Sequence, residues 1–106
     1  MHMISQAAKQ VRQAAKRIAQ QVERTPLQRS VAFSEKLGAD VYFKLENRQS
    51  TGSFKFRGAT NRLLTLSDEQ RAQGCVAASS GNHGAAVACA MQALGVKGVI
   101  FGPEQT

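Results

Sequence analysis

The stretch from Cys75 to Phe101 constrains the fold more than any other part of the chain. Cys75-Val76-Ala77-Ala78 is a short apolar run, followed by the small, polar turn Ser79-Ser80-Gly81-Asn82-His83-Gly84. Ala85 to Leu94 is apolar with helical period, Gly95 closes it, and Val96 to Phe101 is a second apolar run broken by Gly102-Pro103. Two buried strands joined through a helix must pair in parallel, with a right-handed crossover. That places the chain in the α/β class. Both strands are apolar on both faces, as in a covered parallel sheet. Only about one helix is available for each side, so apolar surface is expected to stay open.

Upstream, Ile4, Ala7, Ala8, Val11, Ala14, Ala15, Ile18, Ala19 and Val22 recur at steps of three and four. They predict one amphipathic helix ending before Thr25-Pro26, with Ser5 near its start as a cap. Residues 31–37 predict a short second helix stopped by Gly38. Val41 to Glu46 alternates and predicts a strand with Val41, Phe43 and Leu45 on one face. Residues 47–53 form a polar loop with no apolar side chain. Helical period resumes through Phe54, Ala59, Leu63, Leu64 and Leu66, with Ser53 as N-cap, and Ser67-Asp68-Glu69-Gln70 opens another short helix ended by Gly74.

A length of 106 residues allows one domain at most. No apolar run approaches the roughly 20 residues that span a bilayer. Two cysteines, Cys75 and Cys89, are too few for a disulfide scaffold and have no metal-ligand partner nearby, so no metal is expected and a reducing, cytoplasmic home is. The net charge of +7 is uneven. Residues 1–24 hold five basic side chains against Glu23 alone. This segment has no secretory pattern; it is Arg-bearing and nearly acid-free, as mitochondrial transit peptides are, but its lack of serine disfavours that reading. A basic helix of this kind suits nucleic acid or a membrane surface, or it is a packing helix with a solvated face. The Ala-rich stripe favours packing.

Two constellations carry chemistry. In Ser53-Phe54-Lys55-Phe56-Arg57-Gly58-Ala59, a lysine stands between phenylalanines at a helix start. The helix dipole and apolar neighbours both disfavour an ammonium there, as a lysine that condenses with a carbonyl requires. An ordinary surface lysine is the other reading. In Ser79–Gly84, backbone N–H groups at a helix start suit a carboxylate or phosphate, or form a plain turn with Asn82 as cap. The loop is not GxGxxG and lacks a P-loop lysine. His83 alone reads as a packing or capping residue.

Taken together, the run Lys44 to Ala59 and the loop Ser79–Gly84 resemble the pyridoxal-phosphate enzymes of the tryptophan-synthase-β fold (fold type II). Within them the chain resembles the threonine dehydratase and serine racemase branch. The cysteine synthase branch usually has Val and Asp about its lysine and Asn-Thr-Gly in the loop. Thr25-Pro26-Leu27 also fits the branch, and the resemblance covers about residues 4–106.

The resemblance implies that Lys55 binds pyridoxal 5'-phosphate covalently and moves the substrate α-proton. It implies that Asn82 bonds the phenolic oxygen of the cofactor ring and that Phe54 packs near the ring. Ser79, Ser80, Gly81, Asn82 and His83 would hold the substrate carboxylate, and Ser80 would be the second base of the racemases. Family members are considerably longer and carry a glycine-rich phosphate loop, a partner for the pyridine nitrogen and acidic metal ligands, none of which this chain has. The expectation is therefore an incomplete part of a two-domain enzyme. Residues 1–67 would begin the large domain and 68–106 the small one. The implied activity is deamination of L-threonine or L-serine, with serine racemisation or hydroxyaspartate elimination as alternatives. The parent enzyme would be a homo-oligomer acting on a small amino acid, with no nucleic-acid or membrane partner. A non-catalytic remnant and a basic nucleic-acid-binding module are the readings from other classes, though Tyr42 is the only tyrosine and offers no stacking platform.

Overall fold

The computed structural model describes residues 1–105. The elements run α1 (His2–Ile18), β1 (Leu27–Arg29), α2 (Val31–Leu37), β2 (Tyr42–Lys44), a 3-10 turn at Glu46–Arg48, α3 (Lys55–Thr65), α4 (Asp68–Gln73), β3 (Cys75–Ala78), α5 (Asn82–Leu94) and β4 (Gly98–Phe101). β3 and β4 pair in parallel with Cys75 opposite Gly98 and Ala78 opposite Phe101. The second apolar run thus becomes a strand only from Gly98, because Val96 is spent on the turn and donates its N–H to Met91 O at 2.9 Å. Among the described residues no helix is long and apolar enough to cross a membrane.

Local chemistry explains the short elements. Ser30 caps α2 by accepting the Phe33 N–H, and the helix stops at Gly38, whose φ is +61°. The buried Ser34 hydroxyl accepts the Val41 N–H at 2.9 Å and ties α2 to the following strand. Phe33 and Phe43 meet edge to face, with centroids 5.5 Å apart. Ser67 and Gln70 form a reciprocal capping box at the start of α4.

One strand is absent from the sequence reading. β1 pairs antiparallel with β2, Leu27 opposite Lys44 and Arg29 opposite Tyr42. Leu27-Gln28-Arg29 is too short to show alternation, and only its partner makes it a strand. β2 itself is shorter than expected: Leu45 donates its N–H to Pro26 O, and the chain then turns at Glu46.

The first helix also departs from expectation. It ends at Ile18 rather than continuing through Val22, and residues 19–22 form a turn closed by Gln21 and Val22 N–H groups on Ile18 O. The chain leaves the helix early because Glu23 is held by the side chain of Gln49. Ser5 is not the cap: the N-cap position is Met1, and the Ser5 hydroxyl donates back to His2 O. Ile18 is buried, whereas Ile4 and Val11 on the same stripe are exposed. Only the C-terminal end of α1 packs, and it packs on α3.

The core lies between α3 and α5. Phe56, Ala59 and Leu63 face Ala86, Val87, Ala90 and Met91, with Val96 beside them. Alanines at the crossing let the two helices approach closely. Cys75, Ala77 and Ile100 pack under α5. The other sheet face is open: Val76 is 74% exposed and Phe101 61%. The expected covering helix on each side is thus corrected to one covered face, since α3 stacks on α5 instead of crossing to the far side.

Candidate functional site

The helical turn sorts the residues around Lys55. Phe56 turns inward and is 3% exposed, whereas Phe54 stays outside. The Phe54 ring lies under the lysine, with Nζ 4.9 Å from its centroid. The expectation of a lysine desolvated between two phenylalanines is therefore corrected: one ring belongs to the core, and Lys55 is exposed. Nζ has no hydrogen bond or ion pair with the described residues. Ser53 is not the N-cap either. Phe54 already has helical backbone angles and holds that position without a side-chain cap, so Ser53 Oγ is left to accept a long 3.4 Å bond from the Lys55 N–H.

The second constellation begins where β3 ends. The Ser79 N–H donates to Phe101 O at 2.9 Å, continuing the parallel ladder, and Ser79 Oγ accepts the Gly81 N–H at 3.2 Å. Gly81 is the N-cap of α5, which makes Asn82 the first helical residue rather than the cap. The N–H groups of Asn82, His83 and Gly84 have no partner among the described residues and lie at the positive end of the helix dipole. A Cβ on Gly84 would come within 2.9 Å of Ser79 O, so only glycine lets α5 start this close to the loop. Ser80, Gly81, Asn82 and His83 are all exposed. His83 therefore neither packs nor caps, contrary to expectation.

The two constellations meet at one cleft. Lys55 from α3 with its N-cap Phe54, and His83 from α5, line a cavity of about 600 Å³, floored by Cys75–Ala77 of β3 and closed by Gln70 and Gln73 of α4. Ser79, Ser80, Gly81 and Asn82 stand beside this cleft rather than in its walls, and no hydrogen bond links Ser80 to Lys55.

A third group has no counterpart in the sequence reading. Arg57, two residues past Lys55, donates from Nε to Glu46 Oε2 at 2.9 Å and from Nη2 to Glu46 Oε1 at 2.8 Å. Thr25 donates its hydroxyl to Glu46 Oε1 at 2.5 Å, and Arg57 also reaches Glu23 O. Lys44 Nζ donates to Thr25 O at 2.5 Å. Gln49, 4% exposed, accepts the Glu23 N–H and donates to Glu23 O, both at 2.9 Å. The Arg57 guanidinium, helped by Thr25, holds the Glu46 carboxyl at about 2, against an ordinary 4.5 and despite burial that pushes the other way. The Arg57 guanidinium is shifted upward by the same hydrogen bonds. An acid and a base flanking a polar loop are the visible signal, but eleven residues of spacing do not reveal that the loop folds back on itself.

A family profile described as "Pyridoxal-phosphate dependent enzyme" matches residues 18–106. The chain belongs to this family. It is 47% identical over 91 residues to L-threo-3-hydroxyaspartate ammonia-lyase of Saccharomyces cerevisiae, covering 86% of this chain and 28% of that protein. It is 50% identical over 84 residues to a catabolic L-threonine dehydratase of Staphylococcus aureus, covering 78% of this chain and 24% of the relative. Serine racemase from Dictyostelium discoideum superposes with a TM-score of 0.88 at 41% identity, over 92% of this chain and 32% of that structure. The chain spans about a quarter of the length of the curated relatives it matches. These matches bear out the α/β class and the fold type II family.

The cleft fits part of the family's cofactor. Its volume is in the range of small-molecule sites, one wall is apolar, and a primary amine without a partner stands at its rim. Unpartnered N–H groups at the start of α5 can hold an anion.

Proposed function

We propose that the chain forms the lysine-bearing part of a pyridoxal-phosphate-dependent ammonia-lyase that converts L-threonine or L-serine to a 2-oxo acid and ammonia. The observation that carries this reading is the convergence of Lys55 and the start of α5 on one cleft, though they lie far apart in sequence. Lys55 holds the cofactor through Nζ. Asn82 donates to the phenolic oxygen of the ring, and Phe54 packs near it. Ser80, Asn82 and His83 hold the substrate carboxylate with their free N–H groups and side chains, and Ser79 with its hydroxyl, so the α-hydrogen faces Lys55. The Ser79 and Gly81 N–H groups are engaged within the fold, and Gly81 serves by leaving the backbone open to the ligand. Pyridoxal phosphate supplies an electron sink for the bond broken at the α-carbon. With the cofactor bound, Lys55 Nζ would take the substrate α-proton and return it to the departing β-hydroxyl, which leaves as water; the enamine so released takes up one water and yields the oxo acid and ammonia. Ser80, on the opposite side, is the second base for racemisation.

In this reading residues 1–67 belong to the large domain and 68–106 to the small one. The enzyme is cytoplasmic and homo-oligomeric, and takes a small amino acid rather than a nucleic acid or a membrane. The likeness to a serine racemase and to a hydroxyaspartate ammonia-lyase makes those reactions the alternatives, and a threonine, serine and hydroxyaspartate substrate panel ranks them. The decisive experiment is borohydride reduction of the cofactor-loaded, full-length protein followed by peptide mapping. Label on Lys55, and loss of visible absorbance in Lys55→Ala, are expected. Label on Lys44 would overturn the assignment; its Nζ is engaged by Thr25 O.

A further inference from the structure

We propose that the Glu46–Arg57 ion pair is a positioning clamp for Lys55, fixing the rotation of the first turn of α3 and with it the direction in which Nζ enters the cleft. This rests on the reading of Lys55 as the cofactor lysine.

Lys55 opens a helix that has no side-chain cap. A first turn held at its start only by the long Ser53 Oγ contact to the Lys55 N–H frays readily. Here the turn is anchored from the other side. Successive helical residues are about 100° apart, so Arg57 points roughly 200° away from Lys55. The arginine therefore leaves the cleft face free and grips the opposite side. Its two donors lie on both carboxylate oxygens of Glu46, and a third contact reaches Glu23 O. A bidentate fork of this kind resists rotation as a single contact does not. Glu46 is itself fixed by the Thr25 hydroxyl, and the loop between the two partners is sewn to Glu23 by Gln49. The Glu46 side chain is 15% exposed and that of Arg57 32%, so water competes weakly for the pair. The segment that leaves at Glu46 and returns at Arg57 is thus closed at its base, with Lys55 on its returning limb. The pair never touches the reacting atoms, so it acts through Lys55.

The test uses the full-length, cofactor-loaded protein. Arg57→Lys keeps the charge and removes the fork. Glu46→Gln keeps the size and an acceptor and removes the charge. Arg71→Lys, in the exposed pair with Asp68, is the control. A misplaced nucleophile or base costs up to about a hundredfold, so Arg57→Lys should lower kcat about tenfold to a hundredfold while KM changes less than about threefold. Visible circular dichroism of the Lys55-bound cofactor should fall by about half. In the cofactor-free protein, amides of residues 53–58 should exchange about tenfold faster, with those of residues 86–91 unchanged. Glu46→Gln should fall between wild type and Arg57→Lys, and it decides the matter if Arg57→Lys fails to fold. Wild-type kcat and dichroism per folded molecule, or faster exchange throughout the chain, would reduce the pair to a structural strut and overturn the proposal. Borohydride label on a lysine other than Lys55 in the wild type would instead overturn the assignment of the cofactor lysine, a separate failure.

Discussion

Gly98 sits directly opposite Cys75 at the start of the parallel pair, and a Cβ at this position would lie 2.3 Å from Cys75 O and 2.4 Å from Met91 Sδ. Both atoms belong to neighbouring elements, and the carbonyl cannot swing aside without leaving the sheet. Here β4 enters against β3 and α5 at once, at a distance only a hydrogen allows.

Gly98→Ala should therefore destabilise the protein by about 1–3 kcal/mol through overpacking. A urea titration of the full-length protein measures it. Gly81→Ala is the comparison, since a Cβ there meets nothing within 4 Å. Equal losses at both sites would show that the contact at Gly98 relaxes freely.

Glu46 makes stability depend on acid. Its folded carboxyl titrates at about 2 rather than 4.5, so the unfolded chain binds the proton more readily. The contribution of Glu46 is fully present above about pH 4.5 and is lost as the pH falls toward about 2, up to about 3 kcal/mol in all. The stability gap between wild type and Glu46→Gln should be widest near pH 6 and close toward pH 2, followed by chemical denaturation at each pH. A gap independent of pH would show that the charge of Glu46 contributes nothing.

Ser80→Ala separates elimination from racemisation. Elimination needs one base and a leaving hydroxyl, and Lys55 provides the base. Racemisation also needs a proton donor on the other side. D-serine formation should fall at least about a hundredfold, within the range for loss of a general acid or base, while 2-oxo acid formation from L-serine survives in part. Equal loss of both activities would make Ser80 a shaping residue of the loop.

The open sheet face should make the 106-residue chain self-associate. Val76, Val99 and Phe101 lie exposed on the side that α5 does not cover. Contiguous apolar surface of this kind drives association. Size-exclusion chromatography of the chain alone, against a Val76→Thr, Phe101→Thr double variant, is the measurement. A monodisperse monomer that binds cofactor and deaminates threonine would contradict this expectation.

What was legible in the sequence was local. Gly38 stops α2, and the run from Ser67 to Gln70 opens α4, because a stop and a cap are contacts within one turn of chain. The parallel β3–α5–β4 unit was equally readable, since apolar runs joined by a helix leave few other pairings. The Lys55 and Ser79–His83 constellations were legible as chemistry, but spacing alone did not bring them to one cleft; only the family resemblance implied that.

Tertiary structure decided everything that depends on a partner distant in the chain. β1 exists because Lys44, Phe43 and Tyr42 come to lie beside it. α1 ends at Ile18 because Gln49 holds Glu23. Phe54 and Phe56 look alike in sequence, yet packing on α5 buries one and leaves the other under Lys55. Hydropathy and propensity act on neighbours within a few residues, whereas the Glu46–Arg57 fork becomes favourable only once folding has brought the two charges together and removed most of the water between them.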